Sequence, residues 1–241
     1  MKKKVIAVID SGVGGLSLLK SLTSEFPECE FIYLGDNDNV PYGTKSKRKL
    51  LELTFNNLLY LQSFNVSAVV FGCNTLSVSV FFEIKRYFPF PIFPIFPPFE
   101  KVLMTGKSAV MLATVETSKK YAQTKSLEVK PLECLATEIE EKVFSLQNVD
   151  LNTYLKGVKK GCDTIVLGCT HYNFIKNEIF NHLKPQKILD GATFVIKNVA
   201  KNLKIKKSLV KHKRTQIIFL GKNSEKNKKV WSNVVLPMPN L

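Results

Sequence analysis

Val69-Val70-Phe71-Gly72-Cys73-Asn74-Thr75 decides the predicted fold, because a close copy recurs as Ile165-Val166-Leu167-Gly168-Cys169-Thr170-His171. Each copy is an apolar run followed by Gly-Cys and a polar residue. Apolar runs that are rich in β-branched residues and bounded by glycine are typical of buried parallel strands. The two cysteines are 96 residues apart in the sequence. This spacing indicates two similar α/β domains.

The apolar residues after each cysteine are spaced as in a helix. Apolar residues then recur at intervals of about one helical turn, namely Leu76, Val80, Ile84 and Phe88 after the first cysteine and Ile175, Ile179 and Leu183 after the second. Each thiol is therefore predicted where a strand ends and a helix begins, which is where α/β sheets bind ligands and where a helix N-terminus stabilises a thiolate. The alternative, that both cysteines are apolar core residues, is less favoured because the context is duplicated.

The net charge of +15 over 241 residues is the most unusual feature of the composition. Such a charge can indicate binding to nucleic acid. Specific recognition of phosphates and bases favours the guanidinium fork of arginine, whereas lysine supplies nearly all of this charge and arginine occurs only at Arg48, Arg86 and Arg214. Nucleic-acid binding is therefore not favoured.

The cysteine pattern and the short, interrupted apolar segments predict a reduced, cytoplasmic protein. The five cysteines are odd in number and form no CxxC pair, so neither a disulfide framework nor a zinc site is predicted. The N-terminal apolar run Val5–Ile9 is too short for a secretory signal and is followed by Asp10. The aromatic stretch 81–99 is interrupted by charges and prolines, so no membrane span is expected.

Two loops between predicted elements have the composition of binding loops. Asp10-Ser11-Gly12-Val13-Gly14-Gly15 follows a strand and precedes a helix, so its backbone N–H groups can face an anion. The loop does not match the dinucleotide-binding fingerprint, and a carboxylate is the favoured anion. Asp10 could orient or deprotonate a neighbour, or it could simply cap the helix. The second loop, 39–44, combines proline and glycine in a rigid turn with the hydroxyls of Tyr42 and Thr44.

Further strands and one helix are predicted from apolar runs and turn residues, at Phe31–Leu34, Ser46–Ser63 (the helix), Ser108–Ala113, Lys187–Leu189 and Ile217–Leu220. The proline-rich segment 89–98 excludes a helix and a central strand, so it is predicted to be a stiff connection between domains. The basic run Lys204–Lys213 is predicted to be a solvated surface.

With these motifs in order, the chain resembles the glutamate racemases, a family of the cofactor-independent aspartate/glutamate racemase superfamily. The resemblance extends from Val5 to about Ala192 and is carried by the Asp10–Gly15 turn, Gly35-Asp36 with Pro41-Tyr42-Gly43-Thr44, and the two cysteine motifs. It implies two pseudo-symmetric three-layer α/β domains with mainly parallel sheets and an active site in the cleft between them. We divide the chain into a first domain, 1–97 with 207–241, and a second domain, 98–206.

The resemblance also implies site residues. Cys73 and Cys169 would exchange protons with opposite faces of the substrate, assisted by Asp10 and His171 respectively. The second-domain glutamate of the family falls on Glu140. The substrate's carboxylates and ammonium would be held by Ser11, Pro41, Tyr42, Gly43, Asn74, Thr75 and Thr170. Inversion by proton exchange needs a base on each face, and a thiol can act both as acid and as base near neutral pH.

The implied substrate is glutamate, with no cofactor and no metal, in a homodimer that supplies D-glutamate for peptidoglycan. The chain departs from the usual family pattern at Gly72 and Leu76, where alanine is common, and at Ala113, where glycine is common. One alternative is a racemase of another acidic amino acid such as aspartate, although Asn74-Thr75 and Thr170-His171 favour the glutamate branch. A second is a non-catalytic basic binding protein on the same fold, which the retained thiols make less favoured.

Overall fold

The computed structural model describes residues 4–104, 108–124, 127–143, 149–205, 214–221, 225, 227–229 and 231. The strands are β1 Val5–Asp10, β2 Glu30–Asp36, β3 Ala68–Phe71, β4 Ile92–Pro94, β5 Ala109–Ala113, β6 Glu128–Pro131, β7 Thr164–Gly168, β8 Lys187–Leu189 and β9 Arg214–Leu220. The α-helices are α1 Leu16–Glu25, α2 Lys47–Gln62, α3 Asn74–Ser79, α4 Phe81–Ile84, α5 Phe99–Leu103, α6 Val115–Tyr121, α7 Leu135–Lys142, α8 Leu151–Tyr154, α9 Lys176–Leu183 and α10 Ala192–Leu203. Two 3₁₀ helices span Tyr42–Thr44 and Thr170–Ile175.

The strands form two separate parallel sheets with the same internal order. The first sheet has the order β4-β3-β1-β2-β9 and the second β6-β5-β7-β8. Leaving β9 aside, β1 and β5 occupy equivalent positions, as do β3 and β7, so the two cysteine motifs follow equivalent strands. The predicted fold class of two parallel α/β units related by pseudo-symmetry is confirmed.

Each sheet is buried on both faces, because its strands alternate between two cores. In β1, Ile6 and Val8 face a core shared with α1 and α10, whereas Ala7 and Ile9 face a core shared with α2. The second sheet divides in the same way between two further cores. This double burial explains why the strands read as continuous apolar runs rather than as alternating ones.

The helices that follow the cysteines are shorter and less regular than the spacing predicts. After Cys73 the helix ends at Ser79 and a separate short helix begins at Phe81, with Val80 outside helical geometry. The hydroxyl of Ser77 donates to the Cys73 carbonyl and accepts from the Ile95 N–H, and hydroxyl bonds of this kind compete with regular helix. After Cys169 the chain forms a 3₁₀ helix before α9 begins.

The proline-rich segment contributes β4, an edge strand paired with β3, in agreement with the exclusion of prolines from central strands. Helix α10, which our division of the sequence assigns to the second domain, packs on the first sheet through Val195 and Val199. We therefore propose that the chain returns to the first domain near residue 191 rather than at 207. Residues 206–213 of the predicted basic surface run lie outside the described residues.

None of the helices described is both long enough and apolar enough to cross a bilayer.

Candidate active site

Four polar residues of the site lie at the carboxyl ends of neighbouring strands, two in each sheet. Asp10 is the last residue of β1, and Cys73 follows β3 after one glycine. In the second unit, Thr114 follows β5 and Cys169 follows β7. Because parallel strands end at the same edge of a sheet, these residues gather where α/β sheets bind ligands.

A single cavity between the two sheets brings together every predicted site residue except Asp10 and Glu140, which lie just behind it. Its lining contains Ser11, Pro41, Tyr42, Gly43, Cys73, Asn74, Thr75, Cys169, Thr170 and His171, together with Thr114 and Ala136. Both thiols therefore face the same space, from motifs that lie far apart in the sequence. Within the described part of the chain, no cluster of three or more His, Cys, Asp or Glu side chains could hold a metal ion.

His171 links one thiol to a buried carboxylate. Its Nδ1 lies 3.8 Å from the Cys169 Sγ, and its Nε2 lies 2.7 Å from the Glu140 Oε2. Burial disfavours the charged imidazole, but the hydrogen bonds with Cys169 and Glu140 outweigh it and raise the pKa of His171 well above its usual value. The ring therefore stays protonated at neutral pH, where it can donate to a thiolate on Cys169.

The glycine-rich turn holds the Glu140 carboxylate. The backbone N–H of Val13 donates to Glu140 Oε2 at 2.9 Å. A Cβ at Gly12 would lie 2.3 Å from the same oxygen, and one at Gly14 would lie 2.5 Å from the His171 Nδ1. A side chain at either position would therefore have to displace Glu140 or His171 from the site. The predicted anion of this turn is thus a carboxylate of the protein itself.

Asp10 and Cys73 form the other half of the site. The Asp10 carboxylate accepts hydrogen bonds from the Gly12 N–H at 2.9 Å and the Thr170 hydroxyl at 3.2 Å. Burial raises the pKa of Asp10 above its usual value. Burial, followed by the charge of Asp10, also raises the pKa of the Cys73 thiol far above its usual range, although the N–H groups of Leu76 and Thr75 act in the opposite direction. The N–H groups of the helix start thus act in the expected direction, but burial and Asp10 outweigh them.

Hydrogen bonds between the two units close the site. Besides the Thr170–Asp10 contact, the hydroxyls of Thr75 and Thr114 lie 3.2 Å apart, and Thr114 also contacts the Thr117 hydroxyl at 3.1 Å. Each of these contacts joins residues at strand ends or at the starts of the following helices. Thr75, Thr114 and Thr170 thus both line the cavity and form the hydrogen bonds between the two units.

Tyr42 supports the substrate loop from behind. Its hydroxyl donates to the buried Asp36 carboxylate at 2.6 Å, and the Asn57 amide lies 3.2 Å from that hydroxyl. Burial and the neighbouring Asp36 raise the pKa of Tyr42 well above its usual value, so the hydroxyl keeps its proton. Because the hydroxyl is occupied by Asp36, we propose that this residue serves the substrate through the shape and backbone of its loop.

We expect Tyr42→Phe to destabilise the protein more than it impairs binding. The change leaves the buried Asp36 without its closest donor, and a hydrogen bond to a charged group contributes about 2 kcal/mol. Chemical denaturation should show a loss of free energy of unfolding of about that size, with KM for the substrate changed less than about threefold. Tyr60→Phe, at an exposed tyrosine of α2, is the matched control. A large rise in KM without loss of stability would mean that the hydroxyl binds the substrate directly.

Some functional residues were not identified from the sequence. Thr114 could have been identified, because it follows the central strand β5 just as Cys169 follows β7. No comparable signal marks Ala136, the Val13 N–H or the Asn227 amide. The Asn227 amide lies 3.1 Å from Glu140 Oε1. Their roles depend on contacts between distant parts of the chain.

No protein-family model matches the chain. Curated relatives match it along most of its length. The glutamate racemase of Clostridium novyi is 35% identical over 235 residues, covering 87% of this chain and 90% of the relative. The glutamate racemase of Aquifex aeolicus is 33% identical over 206 residues, covering 80% of this chain and 81% of the relative.

The chain belongs to the glutamate racemase family. Solved structures agree with this assignment. The glutamate racemase of Thermus thermophilus, in complex with β-chloro-D-alanine, is 27% identical with a TM-score of 0.78, covering 98% of this chain and 95% of that one. The fold is also shared with the glutamate racemase of Campylobacter jejuni, with a TM-score of 0.82 at 22% identity, covering 98% of this chain and all of that one. The resemblance inferred from the motifs is thereby confirmed.

Two of the departures noted in the sequence, Leu76 and Ala113, lie behind the site. Leu76 is fully buried in the core between the first sheet and α2. Ala113 is buried in a core of the second sheet. Neither residue belongs to the lining of the cavity. Both residues therefore belong to the cores that support the site and not to its polar lining.

Proposed function

We propose that this protein interconverts L- and D-glutamate by direct proton transfer at Cα, without a cofactor, through the thiols of Cys73 and Cys169. The observation that carries the proposal is the meeting of two cysteines, from equivalent strands of two equivalent sheets, in one cavity. The family names of the relatives support glutamate as the substrate.

The two half-sites place different groups beside their thiols. Protonated His171, paired with Glu140, contacts the Cys169 sulfur, so we propose that Cys169 acts first as the base. Burial and the nearby charge of Asp10 keep Cys73 as a thiol. In one direction, the Cys169 thiolate removes the α-proton and the Cys73 thiol delivers a proton to the opposite face. The other enantiomer reacts with the roles exchanged, so each turnover leaves the pair ready for the reverse reaction.

The remaining lining residues have the chemistry that an amino acid with two carboxylates requires. We propose that the hydroxyls of Ser11, Thr75 and Thr170 and the amide of Asn74 hold the substrate's charged groups. The amide of Asn74 donates to the Ile95 carbonyl at 3.2 Å, which fixes its orientation. Pro41 and Gly43 shape the facing loop, where Gly43 lies against Thr114 so closely that a Cβ would be 2.9 Å from it.

The decisive experiment follows the Cα hydrogen of L-glutamate in deuterated water without added cofactor. With two thiols on opposite faces, the proton removed by one is not the proton delivered by the other. Early product should therefore carry deuterium at Cα while the remaining substrate stays mostly protonated, as measured by proton NMR in the first few per cent of conversion. Early product that retains the original hydrogen would contradict the two-base mechanism, and a parallel assay with aspartate tests the substrate.

We further propose that the protein is cytoplasmic, that it supplies D-glutamate for peptidoglycan and that it forms a homodimer. An apolar surface supports the last point. Phe55, Leu59 and Tyr60 on α2 and Phe82 and Tyr87 nearby are each at least 40% exposed. Exposed aromatic groups clustered in this way are typical of protein–protein contacts.

A further inference from the structure

We infer that Asn227 is a positioning residue that holds the Glu140 carboxylate in place behind His171. The side-chain amide of Asn227 donates to Glu140 Oε1 at 3.1 Å. A carboxylate can only accept, so the group that faces it must be the NH₂ of the amide. This role rests on the proposed function, because Glu140 and His171 act together only in the proposed reaction. It adds a residue that lies outside the sequence motifs of the site.

The other oxygen of Glu140 is already fully engaged. Oε2 accepts from the His171 Nε2 at 2.7 Å and from the Val13 N–H at 2.9 Å. Both of these donors contact Oε2, so neither of them satisfies Oε1. Asn227 supplies the donor on that side. The carboxylate is then held by three groups from three segments of the chain, with one oxygen directed at the imidazole.

Burial makes this third hydrogen bond energetically important. The Glu140 side chain is 9% exposed and Asn227 is 5% exposed, so water has little access to replace a lost partner. A buried carboxylate oxygen without a donor is strongly disfavoured. Glu140 contacts one ring nitrogen of His171, and the other ring nitrogen contacts the Cys169 sulfur. A change at Asn227 should therefore reach the reacting thiol.

The segment that carries Asn227 is anchored to the first unit. Strand β9 pairs with β2 at the edge of the first sheet, and Asn227 follows within the described helical residues 227–229. Trp231 packs on the core of the first sheet. The Asn227–Glu140 hydrogen bond thus joins the first unit to a helix of the second.

Asn227→Leu removes the donor while keeping the approximate size of the side chain. We expect kcat for glutamate racemisation to fall about tenfold, the lower end of what loss of a supporting partner behind a reacting group costs, with KM changed less than twofold. Asn227→Gln, which keeps the amide, should recover part of the loss. Lys228→Leu, at the next position of the same helix, removes an exposed ion pair with Glu225 and should leave kcat unchanged.

A double-mutant cycle separates positioning from general damage. In a Glu140→Ala background, Asn227→Leu should cause no further loss, because the group on which it acts is gone. An equal loss in both backgrounds, or wild-type kcat in Asn227→Leu, would overturn the inference. If Asn227→Leu fails to fold, Asn227→Ala, which removes the donor without adding a charge, takes its place in the cycle with the same expectations. A wild-type protein without racemase activity would refute the proposed function itself. If Glu140→Ala lowers kcat but Asn227→Leu does not, only the positioning role is refuted.

Discussion

Cys73→Ser and Cys169→Ser should each lower the rate of racemisation by at least about 1,000-fold while leaving the fold intact. A hydroxyl has nearly the size of a thiol but is a far weaker acid, and general acid–base groups contribute about 10²–10⁴-fold to a rate. In the proposed mechanism each thiol serves one face of the substrate, so loss of either one stops inversion in both directions. Racemisation measured by optical rotation gives the rate, and thermal unfolding shows whether each variant remains folded.

The variants should also differ from each other in a way that tests the facing arrangement. A protein that retains only one thiol can still remove the α-proton from one enantiomer and return a deuteron from solvent to the same face. In deuterated water, Cys73→Ser should therefore exchange the α-hydrogen of one enantiomer slowly, and Cys169→Ser that of the other. Exchange of the same enantiomer by both variants would contradict thiols on opposite faces.

Cys162 offers a matched control for this pair. It is a buried cysteine of the second unit, 2% exposed, and its Sγ contacts the Thr164 carbonyl at 3.8 Å rather than the cavity. Cys162→Ser should keep activity within about twofold of wild type, since general acid–base losses require a group at the reacting atom. A loss as large as that of Cys169→Ser would mean that serine damages this unit for structural reasons.

Glu140→Gln is the second change for which we expect a large effect, a loss of about 100-fold in kcat, because general acid–base assistance is worth about 10²–10⁴-fold. Glutamine keeps the shape of the side chain but removes the charge that helps to keep His171 protonated. The pKa of His171 is raised by its hydrogen bonds with Cys169 and Glu140, so without the charge it should fall.

Glu140→Gln should also change the pH at which activity is lost. The pKa of His171 is higher in the folded protein than in the unfolded chain. The stabilisation from its contact with Glu140 is therefore fully present below the pKa of the unfolded chain, and it is lost as the pH rises through the pKa of the folded protein. In Glu140→Gln the alkaline loss of activity should therefore begin at lower pH than in wild type. The pH profile of kcat, together with an NMR titration of the imidazole, measures the shift.

Glu138→Gln is the matched control on the same helix. Glu138 pairs with Lys142 and accepts from the Tyr154 hydroxyl on the outer side of α7, away from His171. This variant should show the wild-type pH profile. An unchanged profile in Glu140→Gln as well would contradict the role of Glu140 in holding the proton on His171.

The sequence by itself determined the parts of this protein that depend on local pattern. A buried parallel strand needs an unbroken apolar run, and the residues after it must lie at one edge of the sheet. The repeated Gly-Cys motif therefore predicted both the pair of equivalent units and the placement of Cys73 and Cys169 at strand ends. The same rule identifies Asp10, at the end of β1.

Glu140 was identified differently, because no local pattern distinguishes it from the other acidic residues of its helix. Only the family resemblance carried it, through the neighbouring Leu135-Ala136 and Ile139. The irregular helix after Cys73 also escaped prediction, since the four-residue spacing of apolar residues continues through the break at Val80. Hydrogen bonds of the Ser77 hydroxyl to distant backbone groups, not the spacing, decide where that helix ends.

Tertiary structure alone decided which groups meet in the site. Val13 and Asn227 both contact Glu140, from positions 127 and 87 residues away in the sequence. Helix α10 packs on the first sheet although it follows a strand of the second. Contacts of this kind depend on how the two folded units pack against each other. The hydrophobic periodicity of a segment does not indicate which distant segment it will contact. The sequence thus determined where each thiol lies, and the packing of the two sheets determined which carboxylate, imidazole and amide lie near it.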